Sequence, residues 1–92
     1  MSLGTLLMDV SDEPIFTMDW SPRLATGETI ATSTWVVALG LTNLADTIVV
    51  GALKTNIKLS AVLAGTYSCT NTVTTSLGQT LERTGYVEVR EL

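Results

Sequence analysis

The chain has no histidine and a single cysteine, Cys69. Without histidine, the commonest general base and metal ligand is missing, which weighs against most hydrolytic and metal-dependent chemistry. One cysteine excludes a disulfide framework within the chain and suits synthesis in a reducing compartment. Charge is scarce as well: charged residues make up 15% of the sequence, against about 25% in ordinary globular proteins. The five basic residues are dispersed at Arg23, Lys54, Lys58, Arg83 and Arg90. No basic stripe exists to follow a phosphate backbone, and no aromatic–arginine platform exists for single strands, so nucleic acid is not an expected partner. No apolar run reaches the roughly 18–20 residues that span a bilayer, so no membrane segment is expected. Met1 to Met8 is apolar, but it has no basic region before it and no convincing cleavage site, so it does not read as a signal peptide.

What remains is rich in threonine, valine and isoleucine. β-Branched side chains with few Lys and Glu favour pleated strands over helices. The 92 residues suit one domain of a size at which roughly 60–65% of the unfolded surface can be buried. Asp9 to Pro14 is polar and acidic, which divides an N-terminal arm at 1–13 from a folded domain at 14–92. Within the arm, Met1-Ser2-Leu3 is compatible with an expression remnant.

From Ile15 to Trp20 the chain alternates, with Ile15, Thr17 and Asp19 against Phe16, Met18 and Trp20, as a strand with one apolar face does. Ser21-Pro22 ends it. Thr29 to Val37 predicts a second strand, closed by Gly40. Asn43 to Asp46 reads as a spacer and Thr47 to Gly51 as a third run, while Leu39 to Asp46 could hold one helical turn. Asn56 to Leu59 alternates again. Gly65 to Thr75, a turn at Gly78 and a return over Thr80 to Val89 make a long hairpin. In the return, Leu81, Val87 and Val89 oppose Glu82, Glu88 and Arg90. Short strands with turn signals about every 8–12 residues describe a sandwich or small barrel. The expected fold is all-β, an Ig-like antiparallel β-sandwich of about seven strands.

Tyr67 and Cys69 are spaced as in a late strand of an immunoglobulin-like sandwich, where a tyrosine precedes a cysteine by two residues. Tyr67 is therefore expected to form a tyrosine corner, with Gly65 supplying the permissive turn before it. Trp35, Cys69 and Val73 are expected in the core, and a buried thiol is inert. Asn71 shares their parity. Either it is buried and pins a neighbouring segment, or it sits at a bulge and faces outward. Trp20 borders a turn, which leaves both a core position and an exposed stacking position open. Asp9, Asp12 and Glu13 are the one carboxylate cluster; without the spacing of a calcium loop they read as a solvated N-terminal segment, or as a cap and turn before Pro14. Asp19 and Glu28 could serve as an acid–base pair only in the sense that any two acids could. No catalytic, cofactor-binding or metal-binding set emerges, and no enzyme activity is expected.

Several segments together resemble a family of small phage and prophage virion proteins of the fibre-tail adaptor type. They are Met18-Asp19-Trp20-Ser21 with Leu24, Gly27-Glu28-Thr29-Ile30, Ser33-Thr34-Trp35 and Gly40-Leu41-Thr42. Ala64-Gly65-Thr66-Tyr67, Thr70 to Thr75, and Gly78 with Glu82-Arg83 complete the set, which runs from Asp12 to the C-terminus. The chain departs from the pattern at Ser60-Ala61-Val62, where family members often carry Ser-Gly-Gly, and in a longer Ala45–Lys58 segment. The resemblance implies a non-enzymatic structural protein made in the bacterial host cytoplasm and placed in the virion tail or neck. There it would bridge tail and fibre proteins as a homo-oligomer within the particle. An Ig-like carbohydrate- or surface-binding module is the alternative, with Trp20 as its stacking residue. An open sandwich has edges that can pair with a neighbouring chain; the strand with Ile15, Thr17 and Asp19, Trp20 beside them, is one expected partner surface, and whichever strand forms the opposite edge is the other.

Overall fold

A computed structural model describes residues 2–91, so Met1 and Leu92, the outer limits of the two segments expected from sequence, lie outside the described residues. Seven strands run β1 (Ser2–Asp9), β2 (Ile15–Asp19), β3 (Ile30–Val37), β4 (Leu41–Ile48), β5 (Lys54–Ala61), β6 (Gly65–Thr75) and β7 (Thr80–Arg90). One 3₁₀ turn, Ser21–Arg23, sits where Pro22 breaks β2. The strands form two sheets, ordered β1-β7-β6-β3 and β2-β5-β4. The chain is an all-β sandwich.

The inward side chains come from the alternation visible in the sequence. Phe16 and Met18 of β2 with Trp20 just beyond it, Ile57 and Leu59 of β5, Cys69 and Val73 of β6, and Leu81, Val87 and Val89 of β7 fill the space between the sheets. Burying each large apolar side chain contributes about 1.5–3 kcal/mol. Phe16 lies against Gly85 so closely that a Cβ there would come within 2.8 Å of the ring, and this bare backbone lets the two sheets approach. Trp35 is half-buried and packs at the margin of the core rather than in its centre.

Three expectations need correction. Ser2–Asp9 is not a free arm: it pairs in parallel with β7, Leu6 opposite Val87 and Met8 opposite Val89, and Met8 is buried. A parallel partner at the other end of the chain leaves no local turn signal, which is why periodicity misses it. Asn43–Asp46 is neither a spacer nor a helical turn but the middle of β4, with a bulge between Asn43 and Ala45. Most of β4 is exposed, so it carries no alternation, and pairing with β5 holds it extended. The third run ends early, since Val50 stands fully exposed in the turn between β4 and β5.

Candidate functional site

Trp20 is completely buried, which corrects its expected place on a partner surface and removes it as a stacking platform for a sugar. Its indole N–H donates to Oδ1 of Asn71 at 3.0 Å and more weakly to the Thr55 hydroxyl at 3.3 Å. Thr55 donates to the same Asn71 oxygen at 2.6 Å, while the Asn71 NH₂ donates to Ser33 Oγ and to the Thr34 carbonyl, each at 2.9 Å. Two acceptor and two donor positions of the amide are thus all used. Because Thr55 belongs to the small sheet and Ser33, Thr34 and Asn71 to the large one, this network ties the layers together. Arg83 completes the cover over Trp20, its guanidinium carbon 5.3 Å from the ring centroid. The role of Arg83 was legible only in its parity with Leu81 and Val87, which points it inward.

Arg83 also bears on the edge of the small sheet. Trp20 N–H donates to the Leu53 carbonyl and Leu59 N–H to the Pro14 carbonyl, so the even-numbered backbone groups of β2 face β5. The alternation of an antiparallel ladder then turns the groups of Ile15, Thr17 and Asp19 toward the outer edge. Arg83 Nη1 donates to the Asp19 carbonyl at 2.9 Å and closes that end. Ile15 and Thr17 remain as an open stretch, with Ile15 exposed on the outer face beside Lys58, which lies 3.9 Å from Glu13.

The acids have separate duties. Asp19 takes the Ser21 hydroxyl at 2.7 Å and the Ser21 N–H at 3.0 Å, and these bonds hold it below the usual carboxylate range. Glu28 is buried and accepts from Thr75, from Ala25 N–H and from Gln79 Nε2; the Thr75 hydroxyl leads in lowering its pKa, against the upward push of burial. Its partners differ from those of Asp19, and the two are not an acid–base pair. Asp9 and Asp12 cap a turn, with Asp9 N–H bonded to Asp12 Oδ2 and Ser11 N–H to Asp9 Oδ1. Among the described residues these acids are not joined into a metal-holding group. Burial pushes the Cys69 thiol up, which disfavours the nucleophilic thiolate.

At the end of the sandwich where β3, β5 and β7 finish, two loops meet over Tyr67. Its hydroxyl donates to the Leu63 carbonyl at 2.9 Å, closing the β5–β6 connection. On the β3–β4 connection Gly40 lies flat against the ring; a Cβ there would fall 2.5 Å from Tyr67 Cε1, and its φ of +106° favours glycine independently. The side chains carried by these loops point away from the core: Leu39 is 100% exposed, Val62 83% and Leu63 68%. The outer face of the large sheet differs in kind, with threonines that satisfy one another across strands, as Thr70 and Thr84 do at 2.9 Å.

Among the described residues no helix is long and apolar enough to cross a membrane. A cysteine protease inhibitor from Entamoeba histolytica shares the fold at a TM-score of 0.60 and 18% identity, over 97% of this chain and 93% of that one. A Photobacterium 2,6-sialyltransferase shares it at a TM-score of 0.60 and 10% identity, over 99% of this chain but only 18% of its own. Such low identities speak for the architecture alone. No curated protein sequence is significantly similar to the chain. Residues 8–88 match the profile of a family described as "Podophage GP4 fiber-tail adaptor protein gp77".

Proposed function

Since the chain belongs to the podophage GP4 fiber-tail adaptor family, we propose that it bridges tail and fibre by protein–protein contacts, without catalysis. The observation that carries the contact reading is the open edge of β2, where the outward backbone groups of Ile15 and Thr17 can receive a strand of a neighbouring virion protein. Main-chain pairing supplies affinity there, and the exposed Ile15 supplies an apolar contact. The reading also has the protein made in the bacterial cytoplasm, where a lone thiol stays reduced, and assembled in several copies set by the symmetry of the tail. Trp20, on which the carbohydrate-binding alternative rested, offers no exposed ring, so that reading has no residue left to carry it.

Quantitative mass spectrometry of purified particles tests this. The chain is expected at a small, fixed copy number, and its absence from clean particles would overturn the proposal. A variant addresses the edge. Thr17→Pro removes an N–H that faces away from β5, so the fold should survive, as proline on an outer strand does. Particles carrying it should lose attached fibres; full fibre occupancy would remove β2 as the contact.

A further inference from the structure

The same end of the sandwich that carries Leu39, Val62 and Leu63 also carries most of the net charge. Nine acidic side chains oppose five basic ones in the whole chain. Asp9, Asp12, Glu13, Glu88 and Glu91 lie at this end, where β1 and β7 finish and β2 begins, together with only Lys58 and Arg90. Those two cations are already engaged, Lys58 with Glu13 and Arg90 with Glu88. At the far end Asp19, Glu28 and Glu82 are matched by Arg23, Lys54 and Arg83, and the ninth acid, Asp46, lies within β4 between the two ends. The molecule is therefore electrically lopsided, acidic around an apolar tip.

We propose that this tip is a second docking surface of the adaptor, and that its occupant is a basic, apolar-lined surface of another virion protein. The inference rests on the bridging role put forward above and supplies a contact distinct from the β2 edge. Three side chains held in the open on loops fixed by Tyr67 and Gly40 bring apolar area without much ordering cost, because the backbone beneath them is already set. The acids that share this end of the sandwich decide the partner. A second copy docking tip to tip would set like charges against each other, whereas a basic surface complements them.

The test uses whole particles. Val62→Ser with Leu63→Ser removes two tip side chains and leaves the Leu63 carbonyl, and so the Tyr67 bond, in place. Leu39→Ser is a second, independent variant, since that side chain makes no core contact, and Val50→Ser at the opposite end is the control for loss of an exposed apolar residue. Melting curves matching wild type establish that each is folded. Lost apolar burial of this size is expected to lower particle-bound copies by about tenfold or more for the tip variants, with the control unchanged. Washing wild-type particles at high salt is expected to strip the chain. Wild-type copy number in folded tip variants overturns the proposal while leaving the bridging role intact. Absence of the wild-type chain from particles overturns both. Self-association of the purified chain that disappears in the tip variants would assign the surface to a second copy and overturn the partner named here.

Discussion

Trp20 and Asn71, 51 residues apart in sequence, meet between the sheets, with the indole N–H donating to the amide oxygen at 3.0 Å. Trp35, the other tryptophan, has an indole nitrogen that is buried with no hydrogen-bond partner. The two residues should answer the same substitution differently. A phenylalanine at Trp20 strips a bond from a fully used amide, whereas at Trp35 it removes a donor that has nothing to give to. Asn71→Ala is expected to cost more than about 1–3 kcal/mol, because Trp20, Thr55 and the Thr34 carbonyl all lose a partner in a dry site. Urea denaturation of the three variants checks the order, with Asn71→Ala least stable, Trp20→Phe next and Trp35→Phe closest to wild type.

Gly40→Ala should destabilise by about 1–3 kcal/mol, since the positive φ is unfavourable for alanine and the ring of Tyr67 occupies its Cβ position. Gly27 has a φ of +81° but open space around it, so Gly27→Ala carries the backbone strain alone. The difference between their melting temperatures reads the steric part directly. Equal losses would mean that the ring moves aside at no cost.

Tyr67→Phe keeps the ring and deletes the bond to the Leu63 carbonyl. A loss of about 0.5–1.5 kcal/mol is expected from an ordinary net hydrogen bond. Thermal melts of the pair are sufficient, and coincident curves would show that the corner bond contributes nothing.

Acid should weaken the fold through Glu28 and Asp19. Both carboxyls are held below their ordinary values in the folded chain, so the unfolded chain takes up their protons first as pH falls. Their stabilising contribution is complete above the ordinary glutamate value of 4.5 and disappears as pH falls through the lower folded values. Replacing Glu28 with glutamine should flatten the acid limb of a plot of urea midpoint against pH. An unchanged limb would show that the buried carboxylate does not drive the acid response.

The hairpin of β6 and β7 and the short β2 were legible because their burial alternates residue by residue, which is what a strand with one dry face writes into a sequence. Cys69 and Val73 followed from that parity. β1 and β4 were not legible, for opposite reasons. β1 is apolar without alternation, and its partner is remote in sequence; β4 is almost wholly exposed and is defined by its neighbour. Of the polar interior, Asn71 announced itself as a problem to be solved, but nothing local names Thr55 and Trp20 as its partners. The apolar loop tips were invisible for a similar reason. Nothing in the sequence marks Leu39, Val62 and Leu63 apart from buried aliphatic residues, and only the loops that carry them turn them outward.

The parallel pairing of β1 with β7 places the start of one strand and the finish of the other at opposite ends of a body 42 Å long. Tension between those two ends runs along the strands and loads the rungs from Leu6–Val87 to Asp9–Arg90 together, in shear. An antiparallel hairpin pulled at its open end would instead unzip rung by rung. In the bridging role proposed above, the chain is pulled whenever the fibre holds fast to a surface and the particle drifts. Should that pull pass through the two ends of this chain, the first strand is the clasp that bears it.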